Sequence, residues 1–234
     1  MRKYREVFPK KHTLLIVVHT ELLSQALRNV GIAKEAGADG VFLINHGNLS
    51  GEELIDVYKE IRAIYPDWWI GINTLDLGFS DSLSLIPSDV SGLWEDASGI
   101  NEDVYDTARV TRNRWRQRQE RKDWQGLYFG SVAFKYQKEV RNPGCAAGLS
   151  MIYMDVVTTS GEATGSPADV AKIATMRGAL GRSPLAVASG IAPENVAQYL
   201  GLVDCFIVAT GVSYSFTELD PARISMLVKA IQSV

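Results

Sequence analysis

Three pairs of a hydroxyl residue and a glycine lie in the last third of the chain, where they could hold an oxyanion. They are Ser160-Gly161, Ser189-Gly190 and Thr210-Gly211, and the first pair continues to a further glycine, Gly165. Each pair follows a short apolar run that is typical of a buried strand. Because glycine has no Cβ, backbone N–H groups beside it can approach an anion closely. The pattern predicts a binding site for a phosphorylated small molecule.

Lys135 is the most informative polar residue outside those pairs. In the run Phe129–Lys135, strand alternation puts Lys135 on the same face as Ser131 and Ala133, with Val132 and Phe134 on the other face. We therefore expect its amine to project from the end of a strand. There it would hold an anionic oxygen or act as a general acid.

Histidines and carboxylates end other apolar runs and supply further acid–base groups. His19 is expected to transfer a proton or bind substrate, and His46 and Asn73 are expected to bind substrate. Glu95 and Asp96 are adjacent, so only one of them can point inward, and the sequence does not decide which. A buried carboxylate there would act as a general base. Since these residues show no tight metal-ligand spacing, no metal is expected, although a metal-dependent hydrolase stays open as an alternative.

Eight apolar runs, spaced roughly 20–30 residues apart, alternate with amphipathic segments as in repeated βα units. The runs are Leu14–His19, Gly40–Asn45, Trp68–Asn73, Gly92–Glu95, Leu127–Lys135, Met154–Thr159, Pro184–Ala188 and Asp204–Ala209. They predict an α/β fold, a TIM (β/α)8 barrel forming one domain over residues 1–234. A doubly wound open sheet is less favoured, because the junction after the first run has no glycine-rich turn. In a barrel the strand ends converge, and the phosphate-binding loops would follow strands 6, 7 and 8.

Local signals also predict where helices begin. Helix starts are expected at Ser50 with Glu53 as a capping box, at Ser166-Pro167 and at Asp220-Pro221. The segment 76–87 is rich in Ser, Asp and Gly, so its helix is expected to be short or replaced by a loop. An aspartate also precedes an apolar run three times, at Asp39, Asp155 and Asp204.

Composition excludes several classes of protein. The chain has 234 residues, 46% of them hydrophobic and 22% charged, with a formal net charge of −3. That charge does not favour nucleic acid, so the basic run from Arg109 to Lys122 is expected to be the solvated face of a helix. No apolar stretch is long enough for membrane insertion and no signal peptide is evident, so a cytoplasmic protein is expected. Cys205 is expected in the core, and Trp115 and Trp124 leave room for a homo-oligomer.

Several longer strings resemble the BtpA family, which includes SgcQ-type proteins. They are Asp155–Gly165, Ala188–Val196, Asp204–Thr210, Glu35–Val41 and Gly92–Ala97. The resemblance implies a ribulose-phosphate-binding-type TIM barrel, from a superfamily rich in phosphosugar isomerases, synthases and lyases. The string Ser189–Val196 also resembles the phosphate loops of phosphoribosylanthranilate isomerase and of the tryptophan synthase α subunit. The chain departs from that isomerase at His19, because the isomerase has a cysteine base there.

The sequence favours an enzyme that acts on a small phosphorylated metabolite, either a phosphosugar or a nucleotide-like compound. Isomerase, lyase and hydrolase chemistry stay open, because an acid and a base serve all three without a cofactor. The main alternative is a non-catalytic assembly or regulatory barrel that binds a phosphorylated ligand, since the resemblance includes family members associated with photosystem I biogenesis.

Overall fold

Eight parallel strands form a closed barrel in the computed structural model, which describes residues 4–232. Each strand pairs with the next, and the eighth pairs with the first. The strands are β1 (Thr13–Thr20), β2 (Gly40–Asn45), β3 (Trp69–Asn73), β4 (Gly92–Ile100), β5 (Leu127–Val132), β6 (Val156–Ser160), β7 (Leu185–Ala188) and β8 (Cys205–Val208). Every predicted run overlaps one strand, although β1, β4 and β6 extend beyond their predicted bounds, and the predicted TIM barrel is confirmed.

Helices precede, connect and follow the strands. They are α1 (Tyr4–Val7), α2 (Leu23–Glu35), α3 (Gly51–Ile64), α4 (Phe79–Leu85), α5 (Val104–Glu120), α6 (Pro143–Ser150), α7 (Val170–Leu180) and α8 (Pro221–Gln232). The short helix expected within residues 76–87 is α4, with seven residues. Between β7 and β8 the connection contains a 3₁₀ turn, Val196–Tyr199, and a second 3₁₀ turn, Thr210–Val212, follows β8 directly. Among residues 4–232, no helix combines the length and hydropathy needed to span a bilayer.

Strand alternation separates two buried apolar layers. On β1, Leu15 and Val17 point into the barrel, whereas Leu14, Ile16 and Val18 pack beneath the helices. Aromatic rings fill the lower interior, where the Phe42 ring lies 5.0 Å from Trp69 and 5.1 Å from Phe129 between centroids. Burying each such side chain stabilises the fold by about 1.5–3 kcal/mol. The interior of the barrel is therefore a packed core, and a ligand would have to bind at one of the barrel's two ends.

Two of the three predicted helix starts are confirmed. Ser50 and Glu53 form the reciprocal capping box of α3, and Asp220 accepts hydrogen bonds from the first amides of α8. The start predicted at Ser166-Pro167 is wrong, because α7 begins at Val170 and is capped by Asp169. Residues 166 and 167 instead belong to the loop that crosses above β7.

The three aspartates that precede apolar runs perform the same task at the amino-terminal end of the barrel. Each carboxylate accepts a hydrogen bond from the backbone amide at the start of the preceding strand. The pairs are Asp39 with Leu14 (2.9 Å), Asp155 with Tyr128 (2.7 Å) and Asp204 with Leu185 (3.0 Å). Since TIM barrels place catalysis at the opposite end, this repeated contact serves stability.

The basic run on α5 is not simply a solvated face. Arg114 forms a bidentate ion pair with Glu95, and Arg118 is 4% exposed and ion-paired with Asp155. Arg118 also lies over the ring of Trp124, which is buried and therefore presents no surface for an oligomer contact. Trp115 is 44% exposed, so the predicted homo-oligomer stays a prediction that rests on this residue alone. Cys205 is fully buried in the barrel, as predicted.

Candidate functional site

A cavity of about 260 Å³ opens at the carboxyl ends of the strands. Its floor is apolar, with Val17, Ile44 and Trp94 among the side chains that form it. Its walls carry polar groups from strand ends all around the barrel: His19, His46, Asp96, Lys135, Thr164, Ser189 and Thr210. A larger opening of about 660 Å³ lies at the amino-terminal end beside α1. The carboxyl-terminal cavity is the candidate site, because barrel enzymes build their active sites on that face.

Lys135 reaches this cavity, although not by the predicted alternation. Strand β5 ends at Val132, and Phe134 packs inside the barrel at 6.0 Å from Trp94, so the predicted outward position of Phe134 is wrong. The Lys135 amine donates to the hydroxyls of Ser189 (3.2 Å) and Thr164 (3.3 Å). Burial lowers the pKa of Lys135, and the nearby Asp96 carboxylate opposes that shift.

Backbone strain is concentrated around this lysine. Three non-glycine residues within residues 4–232 have a positive φ: Ala133 (50°), Tyr136 (58°) and Ser189 (77°). The first two flank the Phe134-Lys135 pair, and the third accepts a hydrogen bond from the Lys135 amine. Left-handed backbone at such residues costs about 1–3 kcal/mol each and clusters at functional sites. The fold therefore maintains three unfavourable conformations around one amine.

Lys172, which the sequence analysis did not single out, holds this strained segment in place. From α7 its amine donates to the carbonyl of Ala133 (3.1 Å) and to the carbonyl of Ser160. The Ser160 hydroxyl in turn accepts from the backbone N–H of Lys135 (2.8 Å). Burial lowers the pKa of Lys172. No local sequence pattern marks it, because the carbonyls it contacts lie 39 and 12 positions away in the chain.

The two adjacent carboxylates point in opposite directions. Asp96 lines the cavity and accepts a hydrogen bond from the Asn73 amide (2.9 Å), while burial raises its pKa. Glu95 faces the helices, where it pairs with Arg114 and accepts a hydrogen bond from the Tyr128 hydroxyl. The structure thus makes Asp96 the candidate acid–base group and removes Glu95 from that role. Asn73 orients Asp96 from a neighbouring recess, not from the cavity itself.

His19 lies in an aromatic cluster on the opposite wall. Its ring stacks on Phe216 with centroids 3.9 Å apart, and the His46 ring lies 5.9 Å away. The Phe216 carbonyl can only accept, so Nδ1 of His19 carries the proton at this 3.0 Å contact and Nε2 keeps its lone pair. Burial, with smaller contributions from His46 and Lys135, lowers the pKa of His19 to about 4. His19 is therefore a neutral imidazole near pH 7.

The loops after β6, β7 and β8 lie against one another, and three glycines allow their close contact. A Cβ on Gly161 would lie 2.1 Å from the Ser166 carbonyl oxygen, and one on Gly190 would lie 2.2 Å from the Pro167 nitrogen. A Cβ on Gly211 would lie 1.9 Å from the Ile191 carbonyl oxygen. The three predicted phosphate-site glycines thus gather at one rim. None of them lines the cavity itself, but Gly190 and Gly211 directly follow the lining residues Ser189 and Thr210.

Gly165 and Thr210 line the cavity directly, together with Ser189. Within residues 4–232, no protein group accepts a hydrogen bond from the backbone amides of Gly165, Gly190 or Thr210. Unpaired amides beside hydroxyl groups form a suitable environment for an anion. Ser160 is placed differently from the prediction, because its hydroxyl is fully buried between the Lys135 amide and the Gly161 carbonyl.

The described part of the chain contains no group of three His, Cys, Asp or Glu side chains arranged to hold a metal ion. His46 lies 3.7 Å from Glu21, but no third ligand joins them. The metal-dependent hydrolase alternative therefore gains no support from these residues.

Solved structures of similar fold include several enzymes that share this barrel. (S)-3-O-geranylgeranylglyceryl phosphate synthase from Thermoplasma acidophilum, in complex with sn-glycerol-1-phosphate, matches with a TM-score of 0.69 and 15% identity over all of both chains. Phosphoribosyl anthranilate isomerase from Thermotoga maritima matches at 0.63 and 17% identity, over 95% of this chain and 100% of that one. The tryptophan synthase α subunit from Legionella pneumophila matches at 0.65 and 12% identity, over 98% and 96%.

These identities show the fold alone: the chain is a TIM (β/α)8 barrel. No family model matches the chain, and no curated protein matches it. Membership of the BtpA family therefore stays a prediction from the sequence strings.

Proposed function

We propose that this barrel is an enzyme that acts on a small phosphorylated metabolite, a phosphosugar or a nucleotide-like compound. One observation carries the proposal: unpaired amides and hydroxyls of the loops after β6, β7 and β8 border the same cavity as an amine, a carboxyl group and a neutral imidazole. The first set would hold the phosphate, and the second would act on the rest of the substrate. The similar structures support this, since one binds sn-glycerol-1-phosphate and another is a phosphoribosyl anthranilate isomerase.

The proposed roles follow from the contacts of each side chain. The amides of Gly165, Gly190 and Thr210 and the hydroxyl of Ser189 would bind phosphate oxygens. Asp96, which burial makes easier to protonate, would serve as an acid or a base. His19 would accept a proton at Nε2, because its Nδ1–H is bonded to the Phe216 carbonyl. We also expect the protein to belong to the BtpA family and to lie in the cytoplasm.

Thermal unfolding with a panel of phosphate compounds tests the binding half of the proposal. A ligand at a hundred times its Kd stabilises the folded state by about 2.7 kcal/mol. For a chain of this length, that corresponds to a rise in Tm of roughly 5–11 °C. Inorganic phosphate, ribose 5-phosphate and nucleoside monophosphates should each raise Tm, whereas ribose without phosphate should not.

Two threonine variants provide a matched comparison. Thr210→Val removes a hydroxyl from the cavity wall, whereas Thr175→Val removes an exposed hydroxyl that bonds only within α7. The first should reduce the phosphate-dependent rise in Tm and the second should leave it intact. If no phosphate compound stabilises the wild-type protein, the proposed function is wrong.

Turnover separates the enzyme from a barrel that only binds. The compounds that stabilise the protein would be incubated with it and followed by phosphorus and proton NMR. Conversion that is lost in Asp96→Asn and His19→Asn supports the enzyme, whereas tight binding without conversion supports the non-catalytic alternative.

A further inference from the structure

Lys135 stands apart from the other cavity groups because the backbone around it is strained. Ala133 and Tyr136, on either side of the Phe134-Lys135 pair, both have a positive φ, and Ser189, which contacts the amine, has one as well. A lysine that only attracts an anion through its charge does not need such exact placement, since its long side chain adapts. A reacting atom does need it, because reactivity depends steeply on distance and angle.

The polar contacts of the amine suit a neutral lysine. Within the described residues, Lys135 forms no ion pair, and the groups that accept from it are the hydroxyls of Ser189 and Thr164. A hydroxyl accepts from an ammonium group or donates to a free amine equally well, whereas a paired carboxylate would fix the charged form. Burial also favours the neutral amine. A neutral amine is a nucleophile.

The charged and titratable groups near the amine come from several elements of the barrel. Asp96 on β4 and His19 on β1 line the same cavity, His46 follows β2, and Tyr136 is next in the chain. Asp96 and Tyr136 favour the ammonium form, and burial opposes them. The cavity thus holds one amine, one carboxyl group and two imidazoles, of which His19 has a lone pair at Nε2 that can accept a proton.

We propose that Lys135 forms an imine with the carbonyl carbon of a phosphorylated aldehyde or ketone, an inference that rests on the phosphate site proposed above. The Nζ lone pair attacks the carbonyl carbon, and the C=O π electrons move to oxygen. His19 accepts a proton from nitrogen and Asp96 donates one to oxygen, which gives a carbinolamine. The protonated His19 returns its proton to that hydroxyl, water leaves, and the nitrogen lone pair forms a C=N bond, which gives a protonated imine (an iminium). The iminium then accepts the electron pair when a neighbouring C–C bond breaks, and the enamine that results donates that pair when a C–C bond forms, so lyase chemistry of the aldol type is favoured.

Reductive trapping with pyridoxal 5′-phosphate, which carries both an aldehyde and a phosphate, tests the proposal. Full-length protein would be treated with a limiting amount of this probe and sodium cyanoborohydride, and the modified lysine would be located by peptide mass spectrometry. Lys59 is the internal control, because its side chain is 59% exposed and pairs only with Asp56. Lys135 should be modified at least about tenfold faster than Lys59, since a cavity that holds the phosphate group keeps the aldehyde of the probe beside the Lys135 amine.

Competition by inorganic phosphate separates this proposal from the proposed function. Modification of Lys135 that phosphate suppresses supports both. If exposed lysines react and Lys135 does not, while phosphate still raises Tm, the imine proposal is overturned and the phosphate site stands. A third outcome is that Lys135 is modified at the same rate when inorganic phosphate is present, or when pyridoxal without a phosphate group replaces the probe. In that case the imine proposal stands and the phosphate site fails.

Lys135→Arg is the control that separates a loss of imine formation from a loss of folding. Arginine keeps the positive charge but does not form this imine, so the variant should fold, retain its rise in Tm with phosphate and lose the preferred modification. If Lys135→Arg is modified as fast as the wild type under the same limiting conditions, the reacting amine lies elsewhere and the proposal is overturned.

Discussion

Lys172→Met tests whether a residue outside the cavity holds the site together. The Lys172 amine donates to the carbonyls of Ala133 and Ser160, and hydrogen bonds from a charged group contribute about 1.5–3 kcal/mol each. The gross loss is therefore about 3–6 kcal/mol. Two effects offset much of it: methionine does not require a buried charge, and the released loop can relax the strain at Ala133. We expect the free energy of unfolding to fall by only about 1–2 kcal/mol.

The effect on ligand binding should be larger than the effect on stability. Once the carbonyls are released, the segment 133–136 can leave its strained conformation, and the phosphate-site loop that carries Gly165 loses the contact that holds its start at Ser160. Urea denaturation measures the stability change, and the rise in Tm with inorganic phosphate measures the site. Lys59→Met is the control, because it removes an exposed lysine and should change stability by less than about 0.5 kcal/mol.

Two results would refute this reasoning. One is a Lys172→Met protein that responds to phosphate as the wild type does, since the lysine would then play no part in positioning. The other is a variant whose loss of phosphate response merely matches a general loss of structure, with near-ultraviolet circular dichroism reduced throughout.

His19, Gly211 and Ala133 each allow a separate test of the structure. Burial lowers the pKa of His19 to about 4, so the unfolded chain binds a proton at this residue more readily than the folded protein does. The free energy of unfolding should therefore fall as pH drops from about 6.5 to 4, and in His19→Asn, measured by urea titration, it should depend less on pH. If the pH dependence of the variant equals that of the wild type, His19 is not buried as a neutral imidazole. Gly211→Ala should lower the free energy of unfolding by more than about 1 kcal/mol and abolish the phosphate-dependent rise in Tm, because the added Cβ would clash with the Ile191 carbonyl. Gly201→Ala is the control: its Cβ would enter open space, so neither quantity should change. Ala133→Gly should raise the free energy of unfolding, measured in urea, by about 0.5–1 kcal/mol, because glycine adopts a positive φ without strain. A decrease would show that Ala133 is not strained in the folded protein.

The barrel could be predicted from the sequence because its signals are local. Eight apolar runs at the spacing of βα units specify the strands, and capping residues such as Ser50 and Asp220 mark helix starts. The exception is Ser166-Pro167, which has the residue types of a helix start but lies in a loop. There the contact of residues 166 and 167 with Gly161 and Gly190 decides the conformation, and such a contact leaves no local pattern.

The site could be predicted only in outline. Strand ends indicated His19, Lys135 and one of the pair Glu95 and Asp96 as cavity residues, since parallel strands bring their ends together. Alternation failed beyond Val132, because the chain turns at Ala133 with a positive φ. The direction of Glu95 depends on Arg114, nineteen positions away, and so lay beyond local patterns.

The most direct test of the central claim is a crystal structure of the protein with inorganic phosphate bound. The account predicts an anion at the carboxyl-terminal rim, within hydrogen-bond distance of the amides of Gly190 and Thr210 and beside the Ser189 hydroxyl. Phosphate bound only at the amino-terminal opening near α1, or absent from the rim at saturating concentration, would contradict it.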